Sequence, residues 1–104
     1  MDYSGDPALL AAVETALKRV VDPEMAVDIL ELGLVYSVAV TPEAASVRIT
    51  MTSAACPVTE LIVEDTAFEL GRELGRPVGV DIVWDPPWTP ERMSDAARRA
   101  LGDM

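Results

Sequence analysis

The chain has 104 residues, half of them apolar, which is enough material for one packed core of ordinary domain size. Eighteen acidic residues against eight basic ones give a formal charge of −10, which argues against nucleic acid and anionic membranes, since binding their phosphates needs Lys and Arg. With no histidine, imidazole catalysis and His-rich metal sites are excluded, and a single cysteine excludes an internal disulfide. No N-terminal basic-then-apolar segment appears and no apolar run reaches a membrane span, so the cytoplasm is the simplest compartment.

No repeat, low-complexity tract or linker interrupts the chain, so residues 1–104 are expected to form a single domain with 1–6 as a loose tail. Asp6-Pro7 reads as a helix start, because Asp caps and Pro at the first helical position loses no needed N–H. Leu10, Val13, Leu17 and Val20 then recur at helical spacing. Asp22-Pro23-Glu24 ends this helix, since the residue before proline is pushed out of the α region. A connecting loop over 22–33 follows, anchored by Val27, Ile29, Leu30 and Leu32, with Gly33 as its pivot. Residues 34–40 and 46–52 read as two strands joined by the turn Thr41-Pro42-Glu43-Ala44, the second with the alternation of a half-buried strand.

Pro57 is expected to open a second helix running to about Glu73, with Val63, Ala67, Leu70 and Leu74 as its main apolar stripe. Leu61 and Phe68 lie nearly opposite that stripe, so either the C-terminal segment or a second subunit should cover them. Gly75-Arg76-Pro77 stops the helix, and residues 78–84 form a third strand. Asp85-Pro86-Pro87-Trp88 makes a rigid extended link, after which Thr89-Pro90-Glu91 caps a last helix ending at Gly102. The expected fold is α+β: a two-layer domain in the order α-β-β-α-β-α, with a three-stranded sheet packed by helices.

Cys56 sits where a strand meets the start of a helix. Uncapped N–H groups and the helix dipole there favour a thiolate, the form that binds metals and attacks electrophiles. The competing reading is a buried cysteine packing as a small hydrophobe. One cysteine cannot complete a tetrahedral thiolate site, so a cluster held here needs a second subunit, a client protein or a small thiol. Asp22 and Glu24 flank Pro23 and offer hard oxygen ligands, as do Asp28 and Glu31; alternatively Asp22 caps a turn and the others are solvated. Thr52 either hydrogen-bonds the thiolate or serves as an ordinary strand residue. Trp84 and Trp88 either form a partner-docking face or staple the last helix to the core. The sequence contains no Gly-rich phosphate loop, no Cys-x-x-Cys pair and no Ser-His-Asp arrangement, so nothing supports nucleotide hydrolysis or cofactor redox work and no catalytic residue is assigned.

Four segments in order resemble the iron–sulfur assembly family that includes the SufT and PaaD proteins, once called domain of unknown function fifty-nine, and the eukaryotic factors of the MIP-eighteen type. They are Val20-Val21-Asp22-Pro23-Glu24; Ile29 to Tyr36, similar to the family's (D/E)-L-G-L-(V/I)-Y; Met51 to Pro57, similar to T-x-x-x-C-P; and Val83 to Ser94. The resemblance runs from about residue 8 to 102. It implies a carrier, adaptor or scaffold in iron–sulfur protein maturation, with Cys56 as key residue and Asp22 and Thr52 as matching signature positions. A transient iron–sulfur cluster or iron would be the cargo, held between subunits of a homodimer or with a client. The implied partners are client and assembly-machinery proteins. Two features depart from the pattern. Ala54-Ala55 stand where many members have Pro-Gly, and the cysteine-rich tail of PaaD-type accessory proteins of phenylacetyl-coenzyme-A oxygenation is absent, which favours a short SufT-like factor. A thiol enzyme is disfavoured for want of a histidine base. A structural adaptor with an inert cysteine is the remaining alternative.

Overall fold

The computed structural model describes residues 1–52 and 57–101, apart from the side chain of Ala100. Strand β1 (Asp2–Ser4) leads into a 3-10 turn at Pro7–Leu9 and helix α1 (Leu10–Leu17). Asp6 opens this turn as expected, its carboxylate accepting from the Ala8 N–H at 2.9 Å ahead of Pro7. A short antiparallel ribbon follows, β2 (Val21–Asp22) against β3 (Val27–Asp28). Then come β4 (Val35–Val40), β5 (Ala45–Ile49), α2 (Thr59–Leu74), β6 (Val78–Ile82), a second 3-10 turn at Pro90–Arg92 and α3 (Asp95–Ala100).

The α+β class is as expected, but the main sheet has four strands rather than three, in the order β1-β4-β5-β6. β4 and β5 form the antiparallel hairpin, and β6 lies parallel to β5, with α2 as the connection. The fourth strand comes from residues expected to be a loose tail. Asp2, Tyr3 and Ser4 pair in parallel with Ser37, Val38 and Ala39, and the Tyr3 hydroxyl donates to the Asp6 carbonyl at 2.6 Å. Three residues are too few for alternation to show in sequence, and their partners lie more than 30 positions away. The expected order therefore gains a leading strand and the β2–β3 ribbon.

One face of the sheet is packed and the other open. Along β5, Ala45, Val47 and Ile49 are buried while Ser46 and Arg48 are exposed. The buried side meets Val13, Ala16 and Leu17 of α1 and Ile62 and Leu70 of α2 in one core cluster. Gly75, in the left-handed region at φ 66°, stops α2, its N–H donating to the Gly71 carbonyl at 2.8 Å. The buried stripe of α2 is turned by one residue from the expected one: Ile62, Thr66 and Leu70 are buried, whereas Val63, Ala67 and Leu74 are half-buried. Thr66 reads as polar but donates its hydroxyl to the Ile62 carbonyl at 2.7 Å, which hides its polarity inside the helix. Leu61 and Phe68 remain 46% and 64% exposed, so the described C-terminal residues do not cover them.

The C-terminal segment seats instead on the loop leading into β4. The Trp88 indole N–H donates to the Leu32 carbonyl at 2.8 Å, and the Ser94 N–H donates to the Glu31 carbonyl at 2.8 Å. The Ser94 hydroxyl donates to the Glu31 carboxylate and also accepts from the Ala97 N–H at 3.0 Å. Ser94 is thus the cap of α3. Thr89-Pro90-Glu91, expected to cap the last helix, opens the 3-10 turn instead; Gly102 lies outside the described residues. The β4–β5 register shifts between Val35 and Ser37, leaving Tyr36 as the extra residue. Its ring meets the Arg92 guanidinium 4.5 Å from the centroid, and its hydroxyl donates to the Pro86 carbonyl at 2.7 Å.

Gly33, the expected pivot, lies against the Arg92 backbone. Its φ is 75°, and a Cβ there would lie 2.7 Å from the Arg92 carbonyl carbon and closer still to the oxygen. Gly33→Ala therefore combines a left-handed backbone with a clash against main chain that cannot rotate away. The expected cost is about 3 kcal/mol, a fall in Tm of more than about 10 °C in a chain of this length. Thermal unfolding followed by circular dichroism checks this, and an unchanged Tm would mean that the segment is not seated there.

Candidate functional site

Asp22 ends β2 and is 2% exposed. Its Oδ1 accepts from the Glu24 N–H at 2.9 Å and the Met25 N–H at 3.4 Å, and its carbonyl accepts from the Ala26 N–H at 2.7 Å. These bonds wrap residues 22–26 into a tight turn around Pro23, the geometry an Asp-Pro pair favours. Asp22 thus holds a turn, and it is also a buried carboxylate with no ion pair among the described residues. Glu24 stands exposed on the turn. Asp28 and Glu31 face other work: the Asp28 carboxylate accepts from the Glu31 N–H at 2.9 Å, and Glu31 takes the Ser94 hydroxyl.

Three backbone bonds tie this turn to the end of β5. The Ile29 N–H donates to the Val20 carbonyl at 2.9 Å, the Leu34 N–H to the Ile29 carbonyl at 3.0 Å, and the Thr50 N–H to the Leu34 carbonyl at 2.8 Å. Residues 50–52, the approach to the cysteine, are thereby fixed relative to the end of α1 and the Asp22 turn. Thr52 is half-buried there. Cys56, together with Ser53, Ala54 and Ala55, lies outside the described residues. Beyond them, α2 begins later than expected: Pro57 sits in the preceding turn, and Val58 is the N-cap, with no side-chain cap bond. In sequence, Cys56 precedes that cap by two positions.

Thr50, with Thr52, falls at the end of the expected second strand. It is fully buried, and its hydroxyl has no partner among the described residues. The letters give no signal of this, since they alternate through residue 52; Ile49, Thr50 and Met51 are nonetheless buried in succession, because β5 stops at Ile49, short of the expected strand over 46–52. The tryptophans divide. Trp88 is half-buried and staples the link to Leu32, whereas Trp84 is 49% exposed. Among the described residues no three carboxylates converge as a metal site. Glu91 has its carboxyl lowered, chiefly by its own backbone N–H and next by the Thr89 side chain, but it belongs to the exposed 90–92 turn. No helix among the described residues is long and apolar enough to cross a membrane.

Residues 10–82 match the family model described as iron–sulfur cluster assembly protein. A relative from Bacillus subtilis (strain 168), named Fe-S protein maturation auxiliary factor YitW, is 41% identical over 93% of this chain and 97% of its own length. Another from Staphylococcus aureus (strain USA300), named Fe-S protein maturation auxiliary factor SufT, is 43% identical over 80% of this chain and 97% of its own. The crystal structure of a domain of unknown function, DUF59, from Bacillus anthracis superposes with a TM-score of 0.86 at 40% identity, covering 93% of this chain and 94% of that one.

Replacing an orphaned buried hydroxyl by a methyl group of the same shape removes a desolvation cost and no bond. Thr50→Val is therefore expected to leave the urea midpoint unchanged or raise it, with the m-value unaltered. A loss of more than about 1 kcal/mol would show that the hydroxyl is satisfied in solution.

Proposed function

As the chain belongs to the family of iron–sulfur cluster assembly proteins, we propose that it works as a maturation factor that hands iron or a cluster to client proteins through Cys56. The observation that carries this reading is the near-full-length likeness to two maturation auxiliary factors, together with a lone cysteine in the segment Met51 to Pro57. A thiolate is a soft donor suited to iron and its sulfides. Transfer then needs only ligand exchange: a client thiolate forms its bond to iron as the Cys56 sulfur leaves, with no change of oxidation state.

Asp22 is the supporting carboxylate in this account. A buried charge is usually paired or bound to a cation, and Asp22 has only backbone N–H partners among the described residues. Thr52 would donate its hydroxyl to the thiolate, and Glu24 would add a hard oxygen at the rim. One thiolate and one or two carboxylates do not complete a tetrahedral shell, so the cargo is shared with a client, a small thiol or a second copy of the chain. The exposed Leu61, Phe68 and Trp84 offer apolar contact area for such partners. A thiol that must stay reduced suits the cytoplasm, and the role is transfer rather than turnover.

Cys56→Ser keeps shape and removes the soft donor. In cells that depend on this protein, iron–sulfur enzyme activities should fall several-fold while the variant accumulates normally; full activity would leave the cysteine an inert packing residue. Asp22→Asn separates the two roles of the carboxylate, because Asn accepts the same N–H bonds in a turn. Its melting curve should match the wild type while client activities drop, and unchanged activities would reduce Asp22 to a turn cap.

A further inference from the structure

The open face of the sheet carries a cavity of about 400 Å³ at the end where β4 begins and β5 stops. Its walls include Tyr36, Ser37 and Arg48 from the hairpin, Asp85 and Arg92 from the C-terminal segment, and Asp2 from β1. The volume is at the lower end for small-molecule sites. None of this wall is used in the account of Cys56 and Asp22.

The charges here are unusual for so acidic a chain. Two of the eight basic side chains meet at one cavity. Neither Arg48 nor Arg92 makes an ion pair among the described residues, although Arg48 is in register with Asp81 on β6. Arg92 is held in place: its guanidinium lies over the Tyr36 ring, and Tyr36 is anchored by its bond to the Pro86 carbonyl. A guanidinium fixed in this way loses little freedom on taking a ligand. On the same wall, Asp2 and Asp85 are exposed carboxylates without ion pairs among the described residues. Two cationic forks and two carboxylates that do not neutralise one another leave both signs unmet.

We propose that this cavity binds a small zwitterion carrying a carboxylate and an ammonium group, a free amino acid or a short peptide. Arg48 and Arg92 take the carboxylate and Asp2 and Asp85 take the ammonium. The guanidinium fork matches a carboxylate with two parallel hydrogen bonds. A ligand with negative charge alone meets repulsion from the two carboxylates and from the net charge of −10, and one with positive charge alone meets the two arginines. Either source carries both groups, and β5 ends at this end of the sheet.

The test is a heteronuclear NMR titration of the whole chain, under reducing conditions, with L-cysteine, reduced glutathione, succinate and putrescine. One or both of the first two should shift the amides of Ser37 and Arg48 with a Kd of about 1 mM, the strength of a few charge-assisted contacts. Binding of cysteine alone identifies the free amino acid as the source, and binding of glutathione alone the peptide. Succinate and putrescine, each lacking one of the two groups, should bind at least about tenfold more weakly. Arg48→Gln, on an exposed strand position, should weaken the zwitterion about tenfold, and Asp85→Asn should weaken it while strengthening succinate. The proposal fails if neither zwitterion shifts these amides, if succinate binds as well as the zwitterion, or if both variants bind like the wild type.

Discussion

The close approach of the Gly33 and Arg92 backbones is the contact on which the arrangement of this molecule depends. It is possible only because residue 33 has no side chain and takes a left-handed conformation. Around it, Trp88 bonds to Leu32, Ser94 to Glu31, and Tyr36 to Pro86. Two segments 50 or more residues apart in sequence, Glu31 to Tyr36 and Pro86 to Ser94, are thus the two halves of one clasp. Their distinctive letters follow from it: a glycine for the approach, aromatic residues with polar tips for the reach, and a serine that caps a helix and holds a carboxylate together.

The same loop also faces inward. Ile29 and Leu34 carry the backbone bonds that connect Val20 to Thr50, so what holds the loop also holds the Asp22 turn beside the strand that runs toward Cys56. A carboxylate kept buried, a threonine hydroxyl kept buried without a partner among the described residues, and an apolar N-cap on α2 are each small costs to stability. Buried polar groups of this kind call for an explanation beyond packing, and the proposed function supplies one. In the proposed function the hard oxygen comes from Asp22, which the turn over residues 22–26 holds in place.

Much of the frame was legible from local rules. The alternation of residues 46–52 indicated the hairpin, Asp6-Pro7 and Gly75 marked helix boundaries, and Asp22-Pro23 marked a turn. What could not be read was non-local. β1 exists only because β4 offers it an edge, and the clasp needs the C-terminal segment folded back on the loop. The cavity charges come from three parts of the chain, at Asp2, Arg48 and Asp85 to Arg92. The buried α2 stripe is turned by one position from the sequence pattern because Thr66 donates its hydroxyl to the Ile62 carbonyl, which a polar letter does not reveal. At the candidate site the residue types were legible, whereas the burial of Asp22 and Thr50 required the tertiary structure.

In the proposed function Cys56 is a reactive thiolate rather than a packed side chain. The rate of iodoacetamide alkylation of the folded protein as a function of pH reads that property directly. The account predicts a single titration with its midpoint below the roughly 8.5 of an unperturbed cysteine, and fast modification at neutral pH. Slow modification with a midpoint at or above that value, on a chain still folded by circular dichroism, would contradict it.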